Sequence, residues 1–349
     1  METIQINKNK IGTEYPVYII AELSANHNQD FNHAVNTIKA MKSSGADAVK
    51  IQSFTPDSMT IDLDQEKYQT RKDSNWAGMK LYDLYKKAFL PYDWVPKLKQ
   101  LTESLGMDFF SSPFDLEAID FLERLNIPAY KIASFEINDI PLIKKAAATG
   151  KPIIISTGVA NIEDIENAVD ACRLMGNYKI ILLKCTSAYP TPMEEVNLLS
   201  MVTLKNKFGV EVGLSDHTTG VEVPIGATVL GARVIEKHFI LDRKVGGLDE
   251  KFSLEPNEFK QMVDSVRNIE KALGTDELIV TNKMKSARRS MRSLIAIKEI
   301  KEGQLFSENN IKSLRPNLGI HPKYYEDLLG KKAKRDFNYG DPILDIDLS

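Results

Sequence analysis

Two histidines, His217 and His238, end neighbouring predicted strands and are spaced as a shared metal site would require. Adjacent strands lie about 4.8 Å apart, so two imidazoles at their ends can bind one ion. Two protein ligands leave positions open for water and substrate, which suits a divalent ion that acts as a Lewis acid. The alternative is a pair of ordinary hydrogen-bonded histidines.

Two lysines, Lys50 and Lys131, fall inside predicted buried strands, where an ammonium group is costly without an anionic partner. Hydroxyl groups recur at the ends of other strands, in Ser134, Ser156, Ser187 and Ser215. Lysines surrounded by hydroxyls suit a ligand that carries phosphate or carboxylate groups. A lysine that forms a Schiff base, as in barrel aldolases, is the alternative, and we favour anion binding.

These side chains belong to eight short apolar runs, and helix-like stretches separate the runs. The runs lie at residues 17–24, 48–53, 108–113, 129–134, 152–157, 179–186, 211–217 and 233–239. They lack clean polar alternation, which indicates strands buried on both faces of a parallel sheet. Eight such repeats predict an α/β fold, a (β/α)8 TIM barrel, with the active site at the C-terminal ends of its strands. An open doubly wound sheet is the alternative, but no G-x-G-x-x-G follows any run.

The connection of residues 54–107 is too long for one helix, and its stretch DSNWAGMKLYDLYKKAFLPYDWV is rich in aromatic residues. One interpretation is an extra helix packed on the barrel. The other is a lid or a substrate wall, because the loops at this end of a barrel build active sites.

From about Asn282 the pattern changes to short strands and glycine turns. We predict a barrel domain over residues 1–273, a linker over 274–284 and a small β-rich domain over 285–349. The basic cluster KMKSARRSMRS at 283–293 is predicted to be a linker or an entry strand. It is short and has no interleaved aromatic residues, so we do not expect it to bind nucleic acid.

The composition narrows the class of protein. The chain is 43% hydrophobic and 27% charged, which excludes a largely disordered chain. Two cysteines exclude a disulfide scaffold and a four-cysteine zinc site. A net charge of −3 gives the chain no overall positive potential that would attract nucleic acid. With no apolar run of about 18 residues and no apolar leader segment, we expect a cytoplasmic protein that does not contact the membrane.

Nine strings follow one another as in the sialic acid synthase family, and the chain resembles that family over nearly its whole length. The strings are IAELSANH, VKIQ, FFSSPFD, YKIASFE, PIIISTG, KCTSAYPTP, GLSDHTTG, IEKHF and GGLDEKFSLEP. A later string, LRPNLG, resembles the antifreeze-like (SAF) domain of the same family. The resemblance implies a (β/α)8 barrel followed by a SAF domain. It also implies that phosphoenolpyruvate condenses with an aldose to give a nonulosonic acid and phosphate.

The family resemblance also implies a divalent metal and a partner subunit. The metal is usually manganese, with magnesium or cobalt as alternatives. The enzymes of this family work as domain-swapped homodimers, and we expect the same assembly here.

Some strings resemble one branch of the family, the pseudaminic acid synthases. They are IQSFTPDSMT, GMKLYDLYKKAFLPYDW and GGLDEKFS, although Leu248 replaces a commoner proline. N-acetylneuraminate and legionaminate synthases, which are the alternative, usually carry GPDH after the second metal histidine. The implied sugar is 2,4-diacetamido-2,4,6-trideoxy-L-altrose. Its apolar surface would face aromatic residues of the insert, namely Tyr82, Tyr85, Phe89, Tyr92 and Trp94.

The roles of the family's site residues transfer to positions of this chain. The metal ligands fall on His217 and His238. The phosphoenolpyruvate contacts fall on Lys50, Ser112, Lys131, Ser134, Ser156, Ser187 and Ser215, where Ser187 is asparagine in some members. The positions near the sugar, the metal or the reacting carbons are Glu22, Gln52, Glu136, Tyr189 and Asp249.

Two of the implied roles are specific. Arg315, in LRPNLG, is expected to reach into the partner's active site and bind the acyl group of the sugar. Glu136 lies two residues beyond Ser134, and it is our candidate for handling the proton of the attacking water.

Overall fold

The computed structural model describes residues 3–72, 74 and 76–347 of the 349-residue chain. The chain divides between Gly274 and Thr275 into two compact units, and each unit has its own hydrophobic core. The finer division, with a linker over 274–284 and a domain from 285, stays a prediction.

The first unit begins with an antiparallel hairpin of β1 (Ile4–Ile6) and β2 (Asn9–Ile11). A closed barrel of eight parallel strands follows, with β3 (Tyr18–Glu22), β4 (Ala48–Ser53), β5 (Asp108–Pro113), β6 (Tyr130–Ile132), β7 (Ile153–Ser156), β8 (Ile180–Cys185), β9 (Glu211–Asp216) and β10 (Val234–His238). Each barrel strand pairs with its predecessor, and β10 closes on β3. The predicted TIM barrel is confirmed, and the alternative of an open sheet is wrong.

Helices alternate with the strands of the barrel. They are α1 (Phe31–Ser43), α2 (Pro56–Met59), α3 (Leu81–Ala88), α4 (Val95–Ser104), α5 (Leu116–Arg124), α6 (Ile140–Ala147), α7 (Ile162–Leu174), α8 (Ser200–Phe208), α9 (Glu222–Val229) and α10 (Pro256–Leu273). Three of them begin after an aspartate, because Asp30, Asp115 and Asp139 each accept a hydrogen bond from a free backbone N–H of the first turn. These caps end the loops that follow the strands.

The barrel strands are buried on both faces. Consecutive residues Ile153, Ile154 and Ile155 of β7 are all completely buried. Such strands have no solvent face, which explains the absence of polar alternation in the sequence. The polar residues of the strands are therefore concentrated at their ends.

The hairpin β1–β2 was not predicted, because two strands of three residues are too short to show a period. Asn7 and Asn9 donate to the carboxylate of Asp108, the first residue of β5, at 2.8 and 2.7 Å. The hairpin is thereby fixed at the N-terminal end of the barrel, away from the C-terminal ends of the strands.

The long connection of residues 54–107 has two parts that pack in different places, and its role as a lid or a substrate wall stays a prediction. Trp94, at the start of α4, packs against Phe31 of α1 with ring centroids 5.5 Å apart, so one part is an extra helix on the barrel. Trp76 donates to the carbonyl of Leu248 at 3.0 Å, and its ring lies 6.2 Å from that of Tyr189. The connection therefore also reaches the C-terminal end of the barrel.

The second unit contains a two-stranded antiparallel sheet and two short helices. The elements are α11 (Asn282–Ala287), β11 (Ser293–Ala296), β12 (Ile311–Leu314) and α12 (Tyr325–Leu328). Its core includes Leu294, Phe306, Ile311, Phe337 and Ile343. Among the described residues of the whole chain, no helix has the length and apolar character needed to cross a membrane.

The basic cluster at 283–293 differs from its prediction as a linker or an entry strand. Most of it is helical, in α11 and in the 3-10 turn Arg288–Ser290, and the strand begins only at Ser293. Thr281 caps α11 by accepting a hydrogen bond from the N–H of Met284. Lysine, methionine, alanine and arginine all favour helix, so local propensity explains the difference.

Candidate active site

The polar strand ends meet at one end of the barrel, as predicted. Of the predicted site residues in the barrel unit, most are buried, namely Glu22, Lys50, Ser112, Lys131, Ser134, Ser156, Ser215, His217, His238 and Asp249. Gln52, Glu136, Ser187 and Tyr189 are partly exposed. Arg315 belongs to the second unit, where it is exposed and directly follows β12, so its role in a partner's site stays a prediction.

Lys50 and Lys131 lie in a buried cluster with two glutamates. The Nζ atom of Lys50 is 2.6 Å from Oε2 of Glu22 and 3.5 Å from Oε1 of Glu236. The Nζ atom of Lys131 is 3.8 Å from the same oxygen of Glu236. Lys50 also donates to Oγ of Ser112 at 3.2 Å. The lysines thus have anionic partners within the chain, and their burial alone does not require a bound anion.

Burial and opposite charges act against each other in this cluster. Burial lowers the pKa of Lys50, but Glu22 and Glu236 outweigh it and hold that pKa above its usual value. For Lys131, burial outweighs Glu236, and the pKa falls. Burial raises the pKa of Glu22 to about 7 against the charge of Lys50, whereas the two lysines outweigh burial and lower the pKa of Glu236. Lys131 is therefore the lysine that gains more from an anionic ligand.

Side chains from two strand ends surround Gly158, the second residue after β7. Oγ of Ser134 accepts a hydrogen bond from the N–H of Gly158 at 3.0 Å. A methyl group on Gly158 would lie 2.7 Å from Oγ of Ser134 and 2.9 Å from Sγ of Cys185, and it would also collide with the hydroxyl of Ser187. At the end of β7 itself, Oγ of Ser156 is buried with no hydrogen-bond partner among the described residues. These hydroxyls lie close to one backbone segment that has no side chain of its own.

His217 and His238 lie side by side, with ring centroids 5.3 Å apart. Nδ1 of His217 is 3.1 Å from the carbonyl oxygen of Thr186. A carbonyl only accepts, so this nitrogen carries the proton and Nε2 is left as the possible metal ligand. Nδ1 of His238 is buried without a hydrogen-bond partner in the described part of the chain, 3.7 Å from Oδ2 of Asp249.

Of the two imidazoles, that of His238 meets the requirement that a metal ligand be neutral. Burial lowers the pKa of His238 well below its usual value, so the ring is neutral, as a ligand must be. For His217, burial lowers the pKa but Cys185, with Sγ 3.7 Å from Nδ1, raises it above the usual value. Within the described ranges, no three His, Cys, Asp or Glu side chains form a metal-binding group. An ion held by two imidazoles alone would keep its other positions open to water and substrate.

Ordinary hydrogen bonding explains only one of the two histidines. Nδ1 of His217 has the carbonyl of Thr186 as its partner. Among the described residues, Nδ1 of His238 has no such partner, and a buried polar atom in this situation calls for a ligand or a water. The metal site stays a prediction.

Aromatic rings flank the histidines. The ring of Tyr189 lies 4.5 Å from that of His217 and 5.0 Å from that of Phe252. The Phe252 ring in turn lies 4.9 Å from that of His238. Together with Trp76 near Tyr189, these rings form an apolar wall beside the possible metal ligands.

Three further predicted residues surround the same region. Gln52 donates to Oγ of Ser24 at 3.0 Å, and Oδ2 of Asp249 accepts from the N–H of Ala25 at 3.4 Å, so both hold the turn that follows β3. Glu136 lies in the 3-10 turn Ser134–Glu136, and its Oε2 is shielded from solvent. Burial raises the pKa of Glu136 to about 7 against the charge of Lys131. A carboxyl that titrates near neutrality can both take up and release a proton.

Five residues of this region had no predicted role: Trp76, Gly158, Cys185, Glu236 and Phe252. Glu236 could have been found, because it lies two positions before His238 on the same strand and so points to the same side. Trp76 and Phe252 come from loops, for which no periodicity indicates direction.

Two members of the predicted aromatic wall pack on helices of the barrel, and contact of this wall with a sugar stays a prediction. Tyr92 stacks on Phe121 at 4.7 Å and Trp94 packs on Phe31, so both support the barrel's helices. Tyr85 packs on Phe54 after β4, and Glu136 contributes to the raised pKa of its hydroxyl. Tyr85 is therefore near the site, through its contacts with Phe54 and Glu136.

Comparison with known proteins agrees with this geometry. The model of the NeuB family matches residues 37–277, and that of the SAF domain matches residues 291–349. The pseudaminic acid synthase of Campylobacter jejuni subsp. jejuni is 49% identical over 335 residues, which cover 96% of this chain and 97% of that protein. The pseudaminic acid synthase of Helicobacter pylori is 48% identical over 329 residues, which cover 94% and 96%.

A solved structure shows the same likeness. It is the N-acetylneuraminic acid (sialic acid) synthetase from Leptospira borgpetersenii serovar Hardjo-bovis in complex with citrate. The TM-score is 0.74 at 32% identity, and the match covers 82% of this chain and 95% of that chain. The resemblance found in the sequence motifs is confirmed, and the chain belongs to the NeuB family of sialic acid synthases, with a C-terminal SAF domain.

Proposed function

We propose that this chain is a pseudaminic acid synthase. It condenses phosphoenolpyruvate with 2,4-diacetamido-2,4,6-trideoxy-L-altrose and releases pseudaminic acid and phosphate. The observation that carries the proposal is one barrel end where a lysine–hydroxyl cluster lies beside two imidazoles. The high identity to relatives named pseudaminic acid synthase supports the choice of sugar.

The lysine cluster binds phosphoenolpyruvate. Glu236, at 3.8 Å, only partly neutralises the charge of buried Lys131. The negative charge of the ligand provides the closer partner that this ammonium lacks. Ser134 and Ser187 lie against Gly158, where hydroxyls and backbone can approach phosphate or carboxylate oxygens closely. These fixed charges and dipoles also stabilise the phosphate as it leaves.

His217, through Nε2, and His238 are the residues that would hold the divalent ion. Manganese is our first expectation, with magnesium or cobalt as alternatives. When bound there, the ion supplies a Lewis acid for the aldehyde oxygen of the open-chain sugar. The aromatic wall of Tyr189 and Phe252 limits the access of water to this side.

The reaction joins C3 of phosphoenolpyruvate to the aldehyde carbon of the sugar. C2 becomes electron-deficient, water adds to it, and phosphate leaves from the same carbon. Glu136 takes the proton from the attacking water, because its raised pKa makes it a useful base near neutral pH. Lys50 and Lys131 counter the negative charge of the ligand throughout.

Phosphate release from phosphoenolpyruvate tests the proposal directly. The full-length protein is assayed with manganese and a panel of the diacetamido altrose, N-acetylmannosamine and the sugar precursor of legionaminic acid. We expect the diacetamido altrose to give the highest kcat/KM. If N-acetylmannosamine or the legionaminate precursor is better, the assignment to pseudaminic acid is wrong, although the family membership stands.

Metal removal and trapping test the chemistry separately. We expect EDTA to abolish phosphate release and manganese to restore it, and His217→Ala to lower kcat by orders of magnitude with the fold intact. Borohydride with pyruvate should trap no covalent adduct, since Lys50 and Lys131 bind anions here. Full activity in excess EDTA, or a trapped adduct, would contradict the proposed mechanism.

A further inference from the structure

A buried ion pair lies on the outer face of the barrel, directly behind the two histidines. Asp216 precedes His217 at the end of β9, and Lys237 precedes His238 at the end of β10. Side chains alternate along a strand, so Asp216 and Lys237 point away from the face that carries the histidines. The strand register places Lys237 opposite Asp216. The side chain of Lys237 is 0% exposed and that of Asp216 is 2% exposed.

Both members of this outer ion pair, Asp216 and Lys237, form hydrogen bonds with Thr218, the residue after His217. Nζ of Lys237 lies 2.5 Å from Oδ2 of Asp216 and also donates to the carbonyl oxygen of Thr218. The carboxylate of Asp216 accepts from the N–H and the hydroxyl of Thr218 at 2.9 and 3.1 Å. The ammonium of Lys237 therefore holds both residues that flank His217 in the sequence, and Lys237 itself directly precedes His238.

The position of His217 depends on such a contact because the strand ladder ends before it. The pairing of β9 with β10 stops at Asp216 and Lys237, one residue short of His217. Beyond that point, the carbonyl of His217 accepts one backbone hydrogen bond within the described part of the chain, from the N–H of Thr191 at 3.0 Å. The flanking anchors at Asp216 and Thr218 supply the remaining restraint on its backbone.

We propose that the outer ion pair is a positioning device that sets the separation of His217 and His238, and with it the affinity of this site for a divalent ion. The inference builds on the proposed metal site. A buried ion pair generally adds little stability compared with apolar residues of the same size, so stability is a poor reason for its presence. Its hydrogen bonds can instead fix the relative position of the ends of β9 and β10.

The test compares metal binding in variants of the full-length chain after treatment with chelator. Asp216→Asn with Lys237→Met removes both charges together, so no buried charge is left without its counter-ion, and this double variant is expected to fold. Binding of manganese is measured by calorimetry, and binding of cobalt by its visible absorption spectrum. Thermal melting in EDTA reports the fold independently of metal.

A more exposed ion pair at the other end of the barrel serves as a control. Arg267 and Asp47 form an ion pair at 3.0 Å, and Asp47 precedes β4, far along the strand from the histidines. Asp47→Asn with Arg267→Met should lower the melting temperature while leaving the affinity for manganese unchanged.

We expect the Asp216→Asn, Lys237→Met protein to bind manganese about tenfold more weakly and to change the cobalt spectrum, since groups that orient ligands have effects of this size. Each single substitution should weaken binding about as much as the double, because either one breaks the same unit. A folded double variant with parental affinity and spectrum would overturn the proposal, as would an equal loss in the control. If the parent protein binds neither ion, the proposed metal site itself fails, and this inference fails with it.

Discussion

Gly158 is the residue where the smallest chemical change should reach the site. Its backbone lies against Ser134, Cys185 and Ser187, and an added methyl group would lie 2.7 Å from the hydroxyl of Ser134. That distance is too short for an ordinary contact, so at least one hydroxyl must move. The contacts that we propose for phosphoenolpyruvate include Ser134 and Ser187.

Gly158→Ala should therefore raise the KM for phosphoenolpyruvate by roughly tenfold to a hundredfold, as expected when a hydrogen bond to a charged group is lost. Steady-state kinetics at saturating sugar measures the change. Gly12→Ala is the control, because the nearest atoms there are 3.8 Å away and no strain is involved. An unchanged KM in Gly158→Ala would place the anion elsewhere.

Glu136 should determine the acid limb of the pH–rate profile. Its pKa is raised to about 7 by burial, so its base form is lost as the pH falls below that value. We expect kcat/KM of the parent to decline below pH 7. Glu136→Gln should lower kcat by about 10²–10⁴-fold and abolish this limb. Persistence of the same limb in the glutamine variant would assign it to another group.

The same carboxyl links pH to stability. In the unfolded chain its pKa is near 4.5, so between about 4.5 and 7 the folded state holds a proton that the unfolded state has lost. The contribution of Glu136 is thus favourable at low pH and diminishes as the pH rises through 7. Thermal melting across this range should show a smaller decline for Glu136→Gln than for the parent. An identical decline would contradict the raised pKa.

At the scale of elements, the long connection of residues 54–107 combines two tasks. Its α4 packs on the barrel through Trp94, whereas Trp76 reaches the carbonyl of Leu248 and the ring of Tyr189. These are the two tryptophans of the chain, so substitution can separate the two tasks cleanly.

Trp76→Phe removes the hydrogen bond to Leu248 and should raise the KM for the sugar severalfold, with little effect on the KM for phosphoenolpyruvate. Trp94→Phe should lower the melting temperature and leave both KM values unchanged. The Trp94→Phe protein also keeps Trp76 as its single tryptophan, and its fluorescence should respond to the sugar. Equal kinetic effects of the two substitutions would mean that the connection acts only through stability.

At the scale of the whole molecule, the proposed assembly assigns Arg315 to a partner's active site. Arg315 is exposed and follows β12 in the second unit. A guanidinium is suited to hydrogen-bond an acetamido oxygen of the sugar. Arg315→Ala should raise the KM for the sugar or lower kcat more than it changes the KM for phosphoenolpyruvate.

Co-expression tests whether Arg315 acts between subunits. His238→Ala and Arg315→Ala chains should each be impaired, and a heterodimer of the two should recover part of the activity, because one barrel is then intact and faces an intact arginine. His217→Ala with His238→Ala is the control, since neither barrel is intact in that pair. No recovery in a verified His238→Ala, Arg315→Ala heterodimer would mean that Arg315 acts within its own chain or has no such role.

Local patterns in the sequence were sufficient for the barrel and for most of the barrel residues proposed to form its site. Strands such as β7, with three consecutive buried isoleucines, show burial on both faces without any knowledge of their neighbours. The strand ends then identify the active-site end, because parallel strands in a closed barrel all point the same way. Lys131 and His217 could therefore be selected from type and position alone.

The partners of those residues were decided by the tertiary structure. Lys50 pairs with Glu22 and Glu236, which come from the first and last strands of the barrel and become neighbours only when β10 closes on β3. Nε2 of His217 is likewise left available for a ligand because Nδ1 hydrogen-bonds to the carbonyl of Thr186, in the loop that follows β8. Periodicity records whether a residue is buried, whereas pairing depends on register between distant segments, and only the folded chain determines that register.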